Sequence, residues 1–275
     1  MEREKIYCPE ANCSCLWSFK FLQEFLLNSS KWHMNRCQNG TVYTVEYDWM
    51  YSCTPTKCGR AISDSVVTLE EAQKLRRYTC TLTNILIYSL LVKSLGLASI
   101  LDLHSGALSM GKQFVNIYRY FKNEIRDVFT EEDFELYRDV RSRIQKAITE
   151  TFGLDTKRMY LIKPTFFSRI NSTSAKTTHD EYWHPHIDKE TYGSFDYTSL
   201  LYLSDYGLEF GGGCFVFMDP SSNRTVEPRA GRLSFFSSGS ENLHHVEKVT
   251  WGTRYAITLS FTCDPHYAID NLFLL

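Results

Sequence analysis

The chain has 275 residues, 43% hydrophobic, 15% aromatic and 23% charged, with a formal net charge of −2. That length supports one large or two modest domains with ample core, and the near-neutral charge excludes the basic footprint of a nucleic-acid surface. Eighteen Phe and 17 Tyr favour strand-rich cores, and no internal repeat or low-complexity tract is present.

Residues 1–97 read as a cysteine-rich helical region. Seven of the nine cysteines lie there: Cys8, Cys13, Cys15, Cys37, Cys53, Cys58 and Cys80. None of these pairs is spaced C-x-x-C, so disulfides are a better reading than a zinc ribbon. Nine is odd, so at least one thiol is free or paired outside the chain. Four N-x-[ST] sequons, at Asn28, Asn39, Asn171 and Asn223, add to the expectation of a glycoprotein in an oxidising secretory-pathway lumen. Against that stands the N-terminus "MEREKIYCPE", which has no apolar signal core and leaves the cytosol as the alternative. "LWSFKFLQEFLL" (Leu16 to Leu27) is amphipathic, and Thr68 with Glu71 forms a capping box. "ILIYSLLVKSLGLASIL" (Ile85 to Leu101) holds Lys93 and Gly96 within 17 residues. It reads as a buried helix, because it is short and charged for a membrane span.

Helices are expected to continue through 98–156 and support a barrel. The clearest begins at Thr130, has acidic residues in its first turn, and steps through Phe134, Tyr137, Val140, Ile144 and Ile148 before Gly153 stops it. From 157 to 265 the period becomes two. "YLIKPTFFSRI", "YTSLLYLS", "CFVFMD", "RLSFFSS" and "RYAITLSF" are short β-rich runs separated by turns such as "EFGGG" and "DPSSN". Such a series predicts a barrel or sandwich with helices packed outside, and 266–275 is left as a C-terminal tail.

"YWHPHIDKETYGSF" (Tyr182 to Phe195) places His184, His186 and Asp188 within five positions. On a strand, positions i and i+2 share a face, so either His184 with His186 or His186 with Asp188 could grip one metal ion. A further ligand is offered by the adjacent His244 and His245. Two histidines and one carboxylate, with positions left open, mark non-haem iron(II) oxygen chemistry. Arg254 on the last strand shares a face with Ala256, Thr258 and Ser260, while Tyr255, Ile257, Leu259 and Phe261 form the packing face. Iron sites of this kind commonly use 2-oxoglutarate, whose distal carboxylate an arginine fork binds at two points. Gly211 to Gly213 lack a following Gly-Lys-Ser/Thr, so they make a turn and no phosphate cradle. Ser237, Ser238 and Ser240 lack a G-x-S-x-G elbow, which argues against hydrolysis.

Taken in order, "HPHID", "TSLLYLSDY", "FGGGCFVF" and "HHVEKVTWGTR" resemble the iron- and 2-oxoglutarate-dependent prolyl and lysyl hydroxylase family, over residues 160–263. The resemblance implies an α+β chain whose C-terminal half is a double-stranded β-helix (jelly roll), flanked by helices from the N-terminal half. It implies Fe(2+) held by His186, Asp188 and His244, with His184 lining the mouth or hydrogen-bonding behind the ligands. The pattern H-x-V-x-x-V-x-x-G-x-R, counted back from Arg254, selects His244; a shorter spacing in the oxygen-sensing prolyl hydroxylases would select His245. It further implies 2-oxoglutarate held by Arg254 and Tyr202, O2 as co-substrate and ascorbate as reductant. The implied reaction hydroxylates a protein or peptide side chain and converts 2-oxoglutarate to succinate. A near relative carries an N-terminal membrane anchor, so membrane contact is expected only through such an anchor, which this chain lacks. The alternative reading is a catalytically silent barrel acting as a binding scaffold.

Overall fold

The structure is a computed structural model that describes residues 31–35 (backbone only), 58–77, 98–102, 104–110, 113–120, 130–176 and 180–269. Strand β1 (Lys31–Asn35) and β2 (Cys58–Ser63) precede helix α1 (69–77). Three short strands follow, β3 (Ala98–Asp102), β4 (Ala107–Met110) and β5 (Gln113–Asn116), then the single turn α2 (Ile117–Tyr120) and the long α3 (Glu131–Phe152). Next come β6 (Tyr160–Asn171), the short helix α4 (Asp188–Tyr192), β7 (Tyr197–Tyr202), β8 (Phe210–Gly212) and β9 (Phe215–Phe217). The order closes with β10 (Arg224–Val226), β11 (Leu233–Ser237), β12 (His244–Val246) and β13 (Val249–Thr262).

These strands form two antiparallel sheets. The large one runs β1-β2-β11-β7-β13-β6-β3-β4-β5, with β8 paired to β13; the small one runs β10-β9-β12. A backbone bridge between His186 and His244 extends the small sheet by one segment. Neighbours in each sheet are mostly distant in sequence, as the jelly-roll topology requires.

Period-two alternation decides what each face of the large sheet meets. On β13, Tyr255, Ile257, Leu259 and Phe261 pack with Phe134, Tyr137, Val140, Ile144, Ile148 and Phe152 of α3. Fully burying a side chain of that size contributes about 1.5–3 kcal/mol, so this layer dominates the core. The opposite face of the sheet looks into the barrel. There Leu200, Tyr202, Phe236 and Ala256 meet Phe215, Phe217 and Val226 from the small sheet.

Local chemistry sets the helix limits. The Thr130 hydroxyl accepts from Asp133 N–H at 3.4 Å, and the Asp133 carboxylate accepts from Thr130 N–H at 2.8 Å. Gly153 ends α3 at φ +71°, a left-handed value that suits glycine. The same reciprocal cap opens α1, where Thr68 N–H donates to Glu71 Oε2 at 2.8 Å and Glu71 N–H to Thr68 Oγ1 at 3.2 Å.

Two readings need correction. Residues 98–102, 107–110 and 113–116 are strands, not helices. The Asp102 carboxylate accepts from His104 N–H at 3.0 Å and Ser105 Oγ at 2.6 Å, and Gly106 turns at φ +71°, which folds β3 and β4 into a hairpin. β3 then pairs along β6, from Ala98 opposite Ile170 to Asp102 opposite Phe166. The last four residues of the apolar run 85–101 are therefore strand; its residues 85–97, like the helix read at 16–27, lie outside the described residues. Nor is the region before 98 simply helical, since β2 pairs with β11 inside the large sheet. Among the described residues, no helix is long and apolar enough to cross a membrane.

Candidate metal centre

His186, Asp188 and His244 converge at one end of the barrel, each offering a ligand atom within 4.8 Å of the others. His186 sits in the bridge to β12, its N–H donating to the His244 carbonyl at 2.9 Å and receiving the return bond at 3.1 Å. Asp188 does not share a strand with it, as the i, i+2 reading assumed. It is the first residue of α4, so a turn carries its carboxylate back towards the histidines. Asp188 Oδ1 lies 3.5 Å from His186 Nε2 and 3.7 Å from His244 Nε2.

Both histidines are oriented from behind. His186 Nδ1 lies 3.0 Å from the His184 carbonyl, and His244 Nδ1 lies 2.7 Å from the Asn242 carbonyl. A carbonyl only accepts, so each Nδ1 carries a proton, and each ring in its neutral form turns the Nε2 lone pair inward. Phe215 stacks on the His244 ring at 4.9 Å, and Phe217 and Phe236 stand edge-on to it. Burial in this box drives the His244 pKa down to about 4, so the ring is neutral at ordinary pH. Burial also presses the Asp188 carboxyl upward, but the His186 hydrogen bond, His244 and the Thr198 hydroxyl together hold it below its usual value. For His186 burial acts downward and is outweighed by Asp188 and the His184 carbonyl, so its pKa is raised. An ionised carboxylate beside a neutral imidazole is the donor set that a divalent cation needs.

The other two histidines turn away. His184 is exposed, with Nε2 2.8 Å from Glu181 Oε2, and only its carbonyl serves the site. His245 follows His244 on β12 and so projects to the opposite face, beside Val216.

Deeper in the barrel, Arg254 is 2% exposed. Its guanidinium lies 5.6 Å from the Tyr202 ring, whose hydroxyl is 3.1 Å from Ser234 Oγ. Burial lowers the Arg254 pKa and pushes the Tyr202 phenol up to about 12. Nε and Nη2 of Arg254 are buried without a hydrogen-bond partner among the described residues. Those two atoms form one edge of the guanidinium fork, the edge Arg232 uses to grip Asp64 at 2.7 and 2.8 Å in this same protein. An empty fork of that shape fits a carboxylate. Gly252, two residues before Arg254, holds φ +73°, and a Cβ there would collide with the Glu209 carbonyl.

The 2OG-Fe(II) oxygenase superfamily model matches residues 171–262, a span that contains the three converging residues and Arg254. A Xenopus tropicalis protein described as 2-oxoglutarate and iron-dependent oxygenase domain-containing protein 3 is 66% identical over 220 residues, covering 80% of this chain and 68% of that one. The chain belongs to the 2OG-Fe(II) oxygenase superfamily. It is a dioxygenase that uses Fe(2+), 2-oxoglutarate and O2. Mouse (Mus musculus) prolyl 3-hydroxylase 2 is 31% identical over 150 residues, 48% of this oxygenase and 21% of that protein. Among solved structures, a Trichoplax adhaerens prolyl hydroxylase with a hypoxia inducible factor peptide fragment aligns at a TM-score of 0.48 and 17% identity. That alignment covers 74% of this chain and 84% of the other.

Several residues around this oxygenase centre escape sequence reasoning. Thr198 donates to Asp188 Oδ2 at 2.5 Å from β7, and Ser238 lies 2.9 Å behind it. The Phe215, Phe217 and Phe236 box is assembled from both sheets. Arg60 of β2 is ion-paired to Asp219 and lies 4.3 Å over the Phe217 ring. The signals are weak one by one: an alternating threonine, scattered phenylalanines and an arginine far upstream become a site only through long-range pairing.

Proposed function

We propose that this dioxygenase hydroxylates a side chain of a protein or peptide. Iron(II) and 2-oxoglutarate, when bound, would supply the oxygen activation: 2-oxoglutarate loses its C1 carboxylate as CO2, one atom of O2 passing to the resulting succinate and the other into a C–H bond of the substrate. The chain's own part is to hold and shield. Nε2 of His186, Oδ1 of Asp188 and Nε2 of His244 would hold the metal from one side and leave the opposite side open. The Arg254 fork would bind the distal carboxylate of 2-oxoglutarate, with Tyr202 flanking it. Phe215, Phe217 and Phe236 keep water away from the buried histidine.

The observation that carries this reading is the unfilled Arg254 fork, inside the same barrel as the three donors. A buried cation with two idle donors is costly unless a ligand completes it. Mass spectrometry of succinate formed from 2-oxoglutarate, Fe(II) and ascorbate tests it without knowledge of the substrate. Turnover supports the dioxygenase with ascorbate as its reductant; iron and 2-oxoglutarate binding without any succinate supports a silent scaffold. The substrate class rests on the similarity to a relative named prolyl 3-hydroxylase 2.

The compartment proposed is the secretory lumen, with membrane contact made through an anchor segment. Cys263, at the end of β13, is disulfide-bonded, and the Asn223 sequon lies in an exposed loop. Non-reducing mass spectrometry of protein from a secretory host should find at least two further disulfides among residues 1–80. Reduced thiols throughout would return the protein to the cytosol.

A further inference from the structure

We propose that Thr198 is a positioning residue that fixes Asp188 as a one-oxygen ligand, backed by Ser238. The proposal rests on the metal site assigned to His186, Asp188 and His244. The two carboxylate oxygens of Asp188 have different company. Oδ1 faces both histidine Nε2 atoms, at 3.5 and 3.7 Å, whereas Oδ2 accepts the Thr198 hydroxyl at 2.5 Å. A carboxylate gripped through Oδ2 cannot swing that oxygen toward a cation without breaking a charge-assisted hydrogen bond.

The chain of donors behind it has one consistent direction. An ionised carboxylate only accepts, so the single proton of Thr198 Oγ1 is committed to Asp188. The 2.9 Å contact between Thr198 Oγ1 and Ser238 Oγ therefore has Ser238 as donor. Asp188, Thr198 and Ser238 are 4%, 2% and 1% exposed, so water does not compete for these bonds. Ser238 is itself pinned: its carbonyl accepts from Lys189 N–H at 2.9 Å, and its N–H donates to the Asp196 carbonyl at 2.9 Å. The same segment thus holds both the first turn of α4 and the proton chain that orients Asp188. The register repeats the logic, since Phe236 stands opposite Thr198 on the neighbouring strand and its ring also walls His244.

The consequence is chemical. A carboxylate binding through both oxygens would occupy a position the reaction needs for 2-oxoglutarate or O2. Thr198 keeps that position vacant by occupying the second oxygen.

The test uses the full chain stripped of metal and titrated with Co(II), comparing wild type, Thr198→Val, Thr198→Ser and Ser238→Ala. Valine keeps the shape and removes only the hydroxyl; serine returns the hydroxyl. Calorimetry should show Co(II) binding weakened roughly 10- to 100-fold in Thr198→Val, with a smaller loss in Ser238→Ala and recovery in Thr198→Ser. The Co(II) ligand-field spectrum should change in Thr198→Val and revert in Thr198→Ser. Wild-type affinity and spectrum in Thr198→Val would overturn the proposal, and so would a loss that Thr198→Ser fails to restore, since packing would then explain it. If wild type itself bound no Co(II), the failure would belong to the metal-site assignment and not to Thr198.

Discussion

Replacing Arg254 should separate cofactor affinity from protein stability in opposite directions. The fork presents Nε and Nη2 without partners from a residue 2% exposed. Hydrogen bonds to charged groups are worth about 1.5–3 kcal/mol in net terms, and every 1.4 kcal/mol is tenfold in affinity. Arg254→Met should therefore weaken 2-oxoglutarate binding by about 10- to 150-fold. The metal-free, cofactor-free protein should behave the other way. A buried guanidinium with idle donors is a cost, relieved only in part by the Tyr202 ring 5.6 Å away, and methionine removes the charge while roughly keeping the volume. Calorimetry with Mn(II)-loaded protein measures the first effect, and thermal unfolding of the apoprotein measures the second. Saturating 2-oxoglutarate at a hundred times Kd should add about 2.7 kcal/mol to wild-type stability. The same concentration should add far less to the variant. Unchanged 2-oxoglutarate affinity in Arg254→Met would refute the fork as the carboxylate site. A strongly destabilised apoprotein would refute the claim that the cation is held there for a ligand.

His186→Ala, Asp188→Ala and His244→Ala should each abolish 2-oxoglutarate turnover and sharply weaken iron retention, whereas His184→Ala and His245→Ala should keep the metal; iron stoichiometry with succinate release across the five reads this. Iron lost from His245→Ala and kept by His244→Ala would move the ligand by one residue. Metal affinity should rise with pH: protons compete for His186, whose pKa is raised, while burial holds the His244 pKa down at about 4 and its neighbours hold the Asp188 carboxyl below its usual value. Below the His186 pKa the loss is about tenfold per pH unit, the slope of a one-proton competition, and it flattens above it; Co(II) affinity that is constant from pH 5 to 8 would contradict the assignment. Gly252→Ala forces a side chain into φ +73° and against the Glu209 carbonyl, so it should destabilise by at least about 1–3 kcal/mol in urea unfolding.

What could be read from the sequence follows the range of the forces involved. α3 was legible because its caps and its 3.6 period are local, and all five apolar positions read from the pattern are buried. β6, β7, β9, β11 and β13 were legible for the same reason, including the division of β13 into an arginine face and an aromatic face; β8, β10 and β12, three residues each, were not, and β8 falls in the "EFGGG" stretch read as a turn. Nor were β3, β4 and β5. Each is only four or five residues long, too short to show a period; β3 is anchored by β6 far along the chain, and β4 and β5 are then added to it by local hairpin pairing. The triad was half legible. The residue types and their crowding pointed to a metal, but strand alternation alone left the choice between His184 and Asp188 open, and Asp188 reaches the site from a helical turn. Thr198 could not be singled out at all, because nothing local distinguishes it from the other hydroxyls of "YTSLLYLS".

The seam between β2 and β11 bears on the order in which this molecule can assemble. Asp64, just after β2, and Arg232, just before β11, are joined by a bidentate ion pair across 168 residues of sequence. Closing so long a loop is unfavourable until the partner surface exists, and β11 becomes a surface only after it has paired with β7. An emerging chain therefore carries β2 with its β11-facing edge unpaired for most of its synthesis. Once made and paired with β7, β11 presents one flank of open backbone donors and acceptors until β2 docks, the kind of edge on which chains associate with each other. A fragment cut to the stretch 171–262 would keep that open edge permanently, since β2 lies outside it. The boundary of a recognisable sequence and the boundary of a soluble folding unit are different places in this protein.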